Sequence, residues 1–307
     1  MTAFDPPPAS GLRDRTAPLQ IGPRRFAWGE RTFVMGILNV TPDSFSGDGL
    51  LADKRSDTVD PVARAVDLAR AMAAAGADIL DVGGESTRPG HDPVDASEEL
   101  RRVIPVVAAL HDALPDMPLS IDTTKPAVAE AALAAGAHVV NDIWGVGADN
   151  ALSRLSAAHG VPIVLMHNRA EAVYANLVAE VVADLEAAID RAIRAGVGWD
   201  RIIVDPGIGF GKTAEHNLVL LRELGALRVL GRPILLGTSR KSTIGKVLDL
   251  PADQRLEGTL ATTALGIAAG VDIVRVHDVL ANVRAARMSD AIIRGTAPAV
   301  LSEGGSR

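Results

Sequence analysis

The chain has 307 residues, 48% of them hydrophobic but only 3% aromatic, and its 31 basic and 38 acidic residues leave a formal charge of −7. Acids and bases are intermixed with no long basic block, which excludes electrostatic nucleic-acid binding as the main activity. The absence of cysteine excludes a disulfide scaffold, a thiolate metal site and a cysteine nucleophile, and it suits a reducing, cytoplasmic compartment.

Residues 1–20 carry Pro6-Pro7-Pro8 and scattered Arg and Asp without an apolar segment, so they read as a flexible tail and not as a secretory signal. No apolar run approaches the ~18–20 residues that cross a bilayer, and no membrane partner is expected. Arg25–Phe33, around Trp28-Gly29-Glu30, is expected to form a small hairpin plugging the floor of the domain that follows. From there one pattern recurs: an alanine-rich helical stretch ends in a small residue and Gly, and a β-branched run follows at once. It appears at Ala74–Asp81, Ala134–Asn141 and Ala268–Arg275, with a looser copy from Ala158 into Leu165. Gly past a helix end supplies a left-handed cap, and the short apolar run after it suits a strand buried on both faces.

Eight such strands are predicted: Phe33–Asn39, Asp78–Gly83, Leu119–Asp122, His138–Asp142, Pro162–His167, Arg201–Asp205, Pro233–Thr238 and Asp272–His277. Helices fill the gaps; Asp60-Pro61 makes an N-cap and first-turn pair ahead of Val62, Val66, Ala69 and Ala73 at helical spacing. Strand and helix alternating eight times is the pattern of a single (β/α)8 TIM barrel over residues 21–297, with a short tail at 298–307. A doubly wound open sheet is the alternative that periodicity leaves open.

In a barrel, chemistry gathers where the strands end. Nearly every predicted strand here ends in a polar residue: Asn39, Asp81, Asp122, Asn141 with Asp142, His167, Asp205, Ser239-Arg240-Lys241, and Arg275 with His277. A lone buried Asp is usually a turn former, but eight polar ends point to one converging site. Early and middle strands contribute acids and amides, and the last two contribute cations. Acids and amides can meet amino and ring N–H groups in plane, while Arg and Lys suit phosphate. No Ser-His-Asp order, zinc motif or dinucleotide glycine fingerprint competes.

Met35–Ser46, Asp81–Gly90, Ser120–Thr123, Asn141-Asp142, Asp205–Lys212, Ser239–Ser242 and Arg275–Asp278, in that order, resemble the signatures of the dihydropteroate synthases. The resemblance runs from about Phe33 to the last helix. It implies a transferase of folate biosynthesis that joins 6-hydroxymethyl-7,8-dihydropterin pyrophosphate to p-aminobenzoate and releases pyrophosphate. In similar enzymes the residues matching Asp122, Asn141 and Asp205 meet the pterin nitrogens and Met166 lines the slot. Lys241 bonds the pterin from the other side, Ser242 lies by the aminobenzoate carboxylate, and Phe210 belongs to the substrate site. Arg275 would stack on the pterin and reach phosphate together with His277, and Asn39 would help hold Mg2+. The implied mechanism is dissociative, and the loops Val40–Leu50 and Gly84–Asp92, with Asp48, Thr87 and Arg88, would close over the reactants. Similar enzymes often read Ser-Phe-Ser-Asp-Gly-Gly in the first loop where this chain has Ser46-Gly47-Asp48-Gly49-Leu50, displacing the acid by one position. The family also implies a homodimer.

Three other functions compete. A methyltetrahydrofolate-dependent methyltransferase of the same barrel family shares the pterin acids but needs no diphosphate site, so Lys241, Arg275 and His277 favour the synthase. A non-catalytic pterin-binding paralogue is disfavoured by the intact polar set. A barrel aldolase with Lys241 as Schiff base is disfavoured because that lysine sits on a loop beyond its strand, where a desolvated, low-pKa amine is not expected.

Overall fold

The computed structural model describes residues 17–41, 60–85, 94–147 and 150–296. A hairpin of β1 (Leu19–Ile21) and β2 (Arg24–Phe26) precedes eight parallel strands: β3 (Phe33–Asn39), β4 (Ile79–Gly83), β5 (Leu119–Asp122), β6 (Val139–Asp142), β7 (Ile163–Met166), β8 (Ile202–Asp205), β9 (Leu235–Leu236) and β10 (Ile273–Val276). The sheet runs β8-β7-β6-β5-β4-β3-β10-β9. It closes where Val204 of β8 meets Ile234, just before β9, in a parallel bridge. That closure excludes the open doubly wound sheet. Helices follow the strands outside the barrel; among the described residues they are α1 (Pro61–Ala74), α2 (Ala96–Ala113), α3 (Pro126–Ala134), α4 (Ala151–His159), α5 (Leu177–Arg194), α6 (Ala214–Arg222), α7 (Ser242–Leu248), α8 (Leu256–Ala269) and α9 (Val279–Arg294).

Local chemistry accounts for the boundaries. Asp60 accepts a hydrogen bond from Val62 N at 3.1 Å and Pro61 occupies the first helical position, so α1 starts where predicted. Gly76, Gly136 and Gly270 adopt φ of +100°, +111° and +102° at the helix-to-strand junctions, a conformation that lets the chain reverse without a Cβ clash. Strand β9 is shorter than the predicted Pro233–Thr238. Its hydrogen bonding to β10 is confined to the pairs Leu235–Ile273 and Leu236–Val274, and the chain turns sharply at Arg240, which has φ +57°.

Strand periodicity of two sorts the barrel into layers. Val34, Leu80, Val140, Leu165, Val204, Leu236 and Val274 face the helices, while Phe33, Met35, Ile79, Val139, Val164, Ile203, Leu235 and Ile273 pack together inside. Two residues beyond the inward Ile79, Val139, Val164, Ile203, Leu235 and Ile273 come Asp81, Asn141, Met166, Asp205, Gly237 and Arg275. One pleat therefore separates an apolar floor from a largely polar mouth.

Leu19, Ile21, Phe26 and Trp28 join the inner cluster from below, so the hairpin does plug the floor. Its position differs from the expected Arg25–Phe33. The turn is at Gly22-Pro23, with Gly22 at φ +51°, and Trp28-Gly29-Glu30 instead forms the turn leading into β3. Trp28 belongs to the plug, its ring meeting Phe33 edge-on at 5.6 Å, while the Phe26 ring lies tilted 4.6 Å from Phe33. Because β1 begins at Leu19, the expected 1–20 tail boundary falls inside a strand. Removing the buried Phe26 ring in Phe26→Ala is predicted to destabilise the protein by about 3–5 kcal/mol, read from urea unfolding; an unchanged midpoint would show that the hairpin is not part of the core.

Candidate active site

Arg275 organises the mouth. It projects inward from β10 and reaches past β3, its Nε donating to Asp81 Oδ2 on β4 at 2.6 Å and its Nη2 to Asp122 Oδ2 on β5 at 2.7 Å. Asn141 Nδ2 on β6 donates to the same Asp81 oxygen at 3.0 Å. Asp81 is fully buried, and its Oδ1 and Asp122 Oδ1 are both buried without a hydrogen-bond partner among the described residues. Burial drives the Asp122 carboxyl up to about 7; Arg275 opposes the rise, and the charges of Asp81 and Glu99 add to it. Burial works to lower the Arg275 pKa, but Asp81 and Asp122 together hold it above its ordinary value.

The opposite wall comes from β8 and the turns after β8 and β9. Asp205 Oδ1 accepts from Gly207 N at 2.7 Å. Lys241 turns inward, donates to the Ile208 carbonyl, and sits 4.6 Å from the centre of the Phe210 ring in a cation–π contact. A Cβ placed on Gly237 would lie 3.9 Å from each of Arg275 Cβ, Asp205 Oδ2 and Lys241 Nζ, so acid and cations converge on a point kept open by a missing side chain. Burial raises the Asp205 pKa against the pull of Lys241. It lowers Lys241 to about 8, with Asp205 opposing. That amine is thus more desolvated than its loop position suggests, contrary to the expectation used against a Schiff-base role; one of its N–H groups goes to the Ile208 carbonyl and its charge rests against the Phe210 ring.

Other predicted residues fall at the same rim. Ser239 Oγ lies 3.0 Å from His277 Nδ1 and accepts from His277 N at 3.1 Å, fixing the imidazole at the end of β10. Arg240, between Ser239 and Lys241, is held in its left-handed conformation by Asp278 at 2.8 Å. Met166 is buried on β7, and Ser242 is exposed at the start of α7. Asn39 ends β3 half-buried. Among the described residues no group of three or more His, Asp or Glu could cage a metal ion. A single amide oxygen at the rim still suits Mg2+, which retains waters and often takes only one or two protein ligands. Asp48, Thr87 and Arg88 lie outside the described residues.

The geometry corrects three sequence expectations. His167 and Asp142 do not join the mouth: parity turns His167 toward Asp184 of α5, and Asp142 Oδ1 accepts from Trp144 N at 3.0 Å. The acidic and cationic flanks are not separate either, because Arg275 bridges them. Asp81, read only as one polar strand end, is the hub. Its inward parity two residues after Ile79 was the available signal.

A carboxyl whose folded pKa exceeds its unfolded value leaves the folded state holding the extra proton, so stability falls as pH rises between the two. For Asp122 that window runs from 3.8 to about 7. Arg275→Met removes the cation that opposes the shift. It is predicted to destabilise the protein by about 3–5 kcal/mol near neutral pH, and by less toward the acid end of the window. Urea midpoints at both ends measure this; a pH-independent loss would contradict the shared ion pair.

The sequence matches the family model described as pterin binding enzyme over residues 35–277. The dihydropteroate synthase of Clostridium beijerinckii is 50% identical over 277 residues, covering 90% of this chain and 100% of that relative. The solved Clostridium difficile dihydropteroate synthase, determined in the presence of pteroic acid, superposes with a TM-score of 0.82 at 50% identity, covering 88% of this chain and 99% of that one. The Xanthomonas albilineans enzyme with 4-aminobenzoic acid gives a TM-score of 0.84 at 42% identity, covering 92% and 100%. On this convergence of barrel, mouth and likeness, the chain belongs to the dihydropteroate synthase family of pterin-binding enzymes.

Proposed function

We propose that the barrel mouth condenses 6-hydroxymethyl-7,8-dihydropterin pyrophosphate with p-aminobenzoate, giving 7,8-dihydropteroate and pyrophosphate for folate biosynthesis. The supporting observation is the set of acceptor atoms left over by the internal bonding. Asp122 spends Oδ2 on Arg275, Asn141 spends Nδ2 on Asp81, and Asp205 spends Oδ1 on Gly207. Asp122 Oδ1, Asn141 Oδ1 and Asp205 Oδ2 then remain to accept from the amino and ring N–H groups of a pterin. Met166 lines the slot, and Lys241 donates from the opposite wall.

The leaving diphosphate belongs beside Arg275 and His277. Two of the three guanidinium nitrogens are tied to Asp81 and Asp122, which fixes the plane for stacking on the ring and leaves Nη1 for phosphate. Mg2+, held by Asn39 and the diphosphate, would neutralise the charge that develops on the leaving oxygens. As the C–O bond breaks, its electron pair departs with pyrophosphate, and nearby carboxylates such as Asp122 favour the pterin cation. The neutral aniline nitrogen attacks that carbon, with Ser242 near its carboxylate, and loses its proton afterwards without a strong general base. Asp48, Thr87 and Arg88 are assigned to the loops that exclude water. The diphosphate-binding cations favour this reaction over methyl transfer.

We assign the protein to the cytoplasm as a homodimer. Among the described residues no helix is long and apolar enough to cross a membrane, and the chain contains no cysteine. Leu265 on α8 and Met288 and Ile292 on α9 are 70%, 62% and 68% exposed, more apolar surface than the packed helix pair needs in water. Met288→Glu is predicted to shift sedimentation from dimer to monomer; wild type sedimenting as a monomer would exclude the assembly.

Purified protein is expected to release pyrophosphate from the pterin substrate only when p-aminobenzoate and Mg2+ are both present. Release that ignores p-aminobenzoate would defeat the assignment. Asp122→Ala is predicted to lower kcat/KM by about 10²-fold or more while the protein stays folded, and wild-type turnover in that variant would remove Asp122 from the pterin site.

A further inference from the structure

The turn after β8, Asp205–Lys212, coils around a second ammonium that no step of the reaction uses. Lys212 Nζ contacts the Gly207 and Phe210 carbonyls, each at 3.0 Å, and His167 Nδ1 at 2.9 Å. Burial lowers the Lys212 pKa to about 7 against the pull of Asp205; in its charged form the amine can only donate, which makes His167 Nδ1 the acceptor and puts the ring proton on Nε2, facing Asp184 Oδ2 at 3.1 Å. Asp184 is fixed in turn by Arg169 at 2.8 Å. Burial and the adjacent Lys212 charge push the His167 pKa down to about 4, which keeps the ring neutral.

The coil is possible because Gly207, Gly209 and Gly211 have φ of +66°, +86° and +55°. A Cβ at Gly207 would run into the His167 carbonyl and one at Gly211 into the Arg169 backbone, so this turn lies directly on the segment after β7. That segment grips it from outside: Tyr174 Oη donates to the Gly211 carbonyl at 2.8 Å. Of the two carbonyls between Lys212's acceptors, that of Ile208 receives Lys241. Two lysines therefore hold alternate sides of one turn, Lys212 from beneath and Lys241 from the mouth.

We propose that Lys212 is a positioning residue for the reaction: by drawing the Gly207 and Phe210 carbonyls together beside His167, it sets where Phe210, Asp205 and the Ile208 carbonyl meet Lys241. Its effect on substrate passes through Lys241 and Phe210, and Lys212 itself touches no reacting atom. This rests on the assignment of the mouth as the dihydropterin pyrophosphate site.

The test is a double-mutant cycle on the full chain, Lys212→Met against Lys241→Met, followed by steady-state pyrophosphate release. Each single variant is expected to cut kcat/KM for dihydropterin pyrophosphate by about tenfold or more, mostly through KM, and the double variant to lose less than about threefold beyond the worse single. Losses that multiply, or a Lys212→Met enzyme with wild-type KM, would overturn the proposal. If Lys212→Met does not fold, His167→Phe, which removes the Nδ1 acceptor, takes its place in the cycle. Failure of both to fold would make Lys212 a stability element and overturn the proposal as well. Wild-type protein that ignores p-aminobenzoate would instead sink the functional assignment alone.

Discussion

Asp81 Oδ2 accepts from Arg275 of β10 and from Asn141 of β6 at once, and the same guanidinium reaches on to Asp122 of β5. Four strands are cross-tied through one buried carboxylate and one cation. Withdrawing such charges from water is expensive, and a packed apolar layer could match the stability. The network instead decides which lone pairs remain unused. With Arg275 in place, Asp122 and Asn141 each present one acceptor to the mouth; without it, two carboxylates would face each other in a medium that screens them poorly.

The second wall uses the backbone for the same end. Between Asp205 and Lys212 three glycines let carbonyls point at two ammonium groups, so the turn is tied by hydrogen bonds although it has no regular structure. A ring entering the mouth meets dipoles and charges already oriented, which is how a fixed site stabilises charge that develops during bond breaking. The hairpin below and the closed barrel around keep this polar layer on an apolar base, since Ile79, Val139, Ile203 and Ile273 lie one pleat beneath the site residues.

Much of this was legible from residue order. Four-residue runs such as Ile273–Val276 are too short for helices, and their β-branched composition with a glycine shortly before them places strands to within a residue or two. The hairpin turns earlier than expected because the pair Gly22-Pro23 is a stronger turn signal than the pair Trp28-Gly29. Polar strand ends marked the right layer, yet which way each side chain points depends on a parity that the strand end alone does not reveal. His167 and Asp142 therefore lie one position out of phase with the mouth. The reach of Arg275 across β3 to Asp81, and the meeting of Lys212 with His167, join residues 194 and 45 positions apart. Such pairings arise from barrel closure and leave no local trace.

The most direct test is a crystal structure with 6-hydroxymethyl-7,8-dihydropterin pyrophosphate bound. The ring should lie among Asp122, Asn141 and Asp205 with Arg275 still tied to Asp81, and the diphosphate should point toward His277. A ring seated elsewhere, or an Arg275 that has left both carboxylates, would contradict the account.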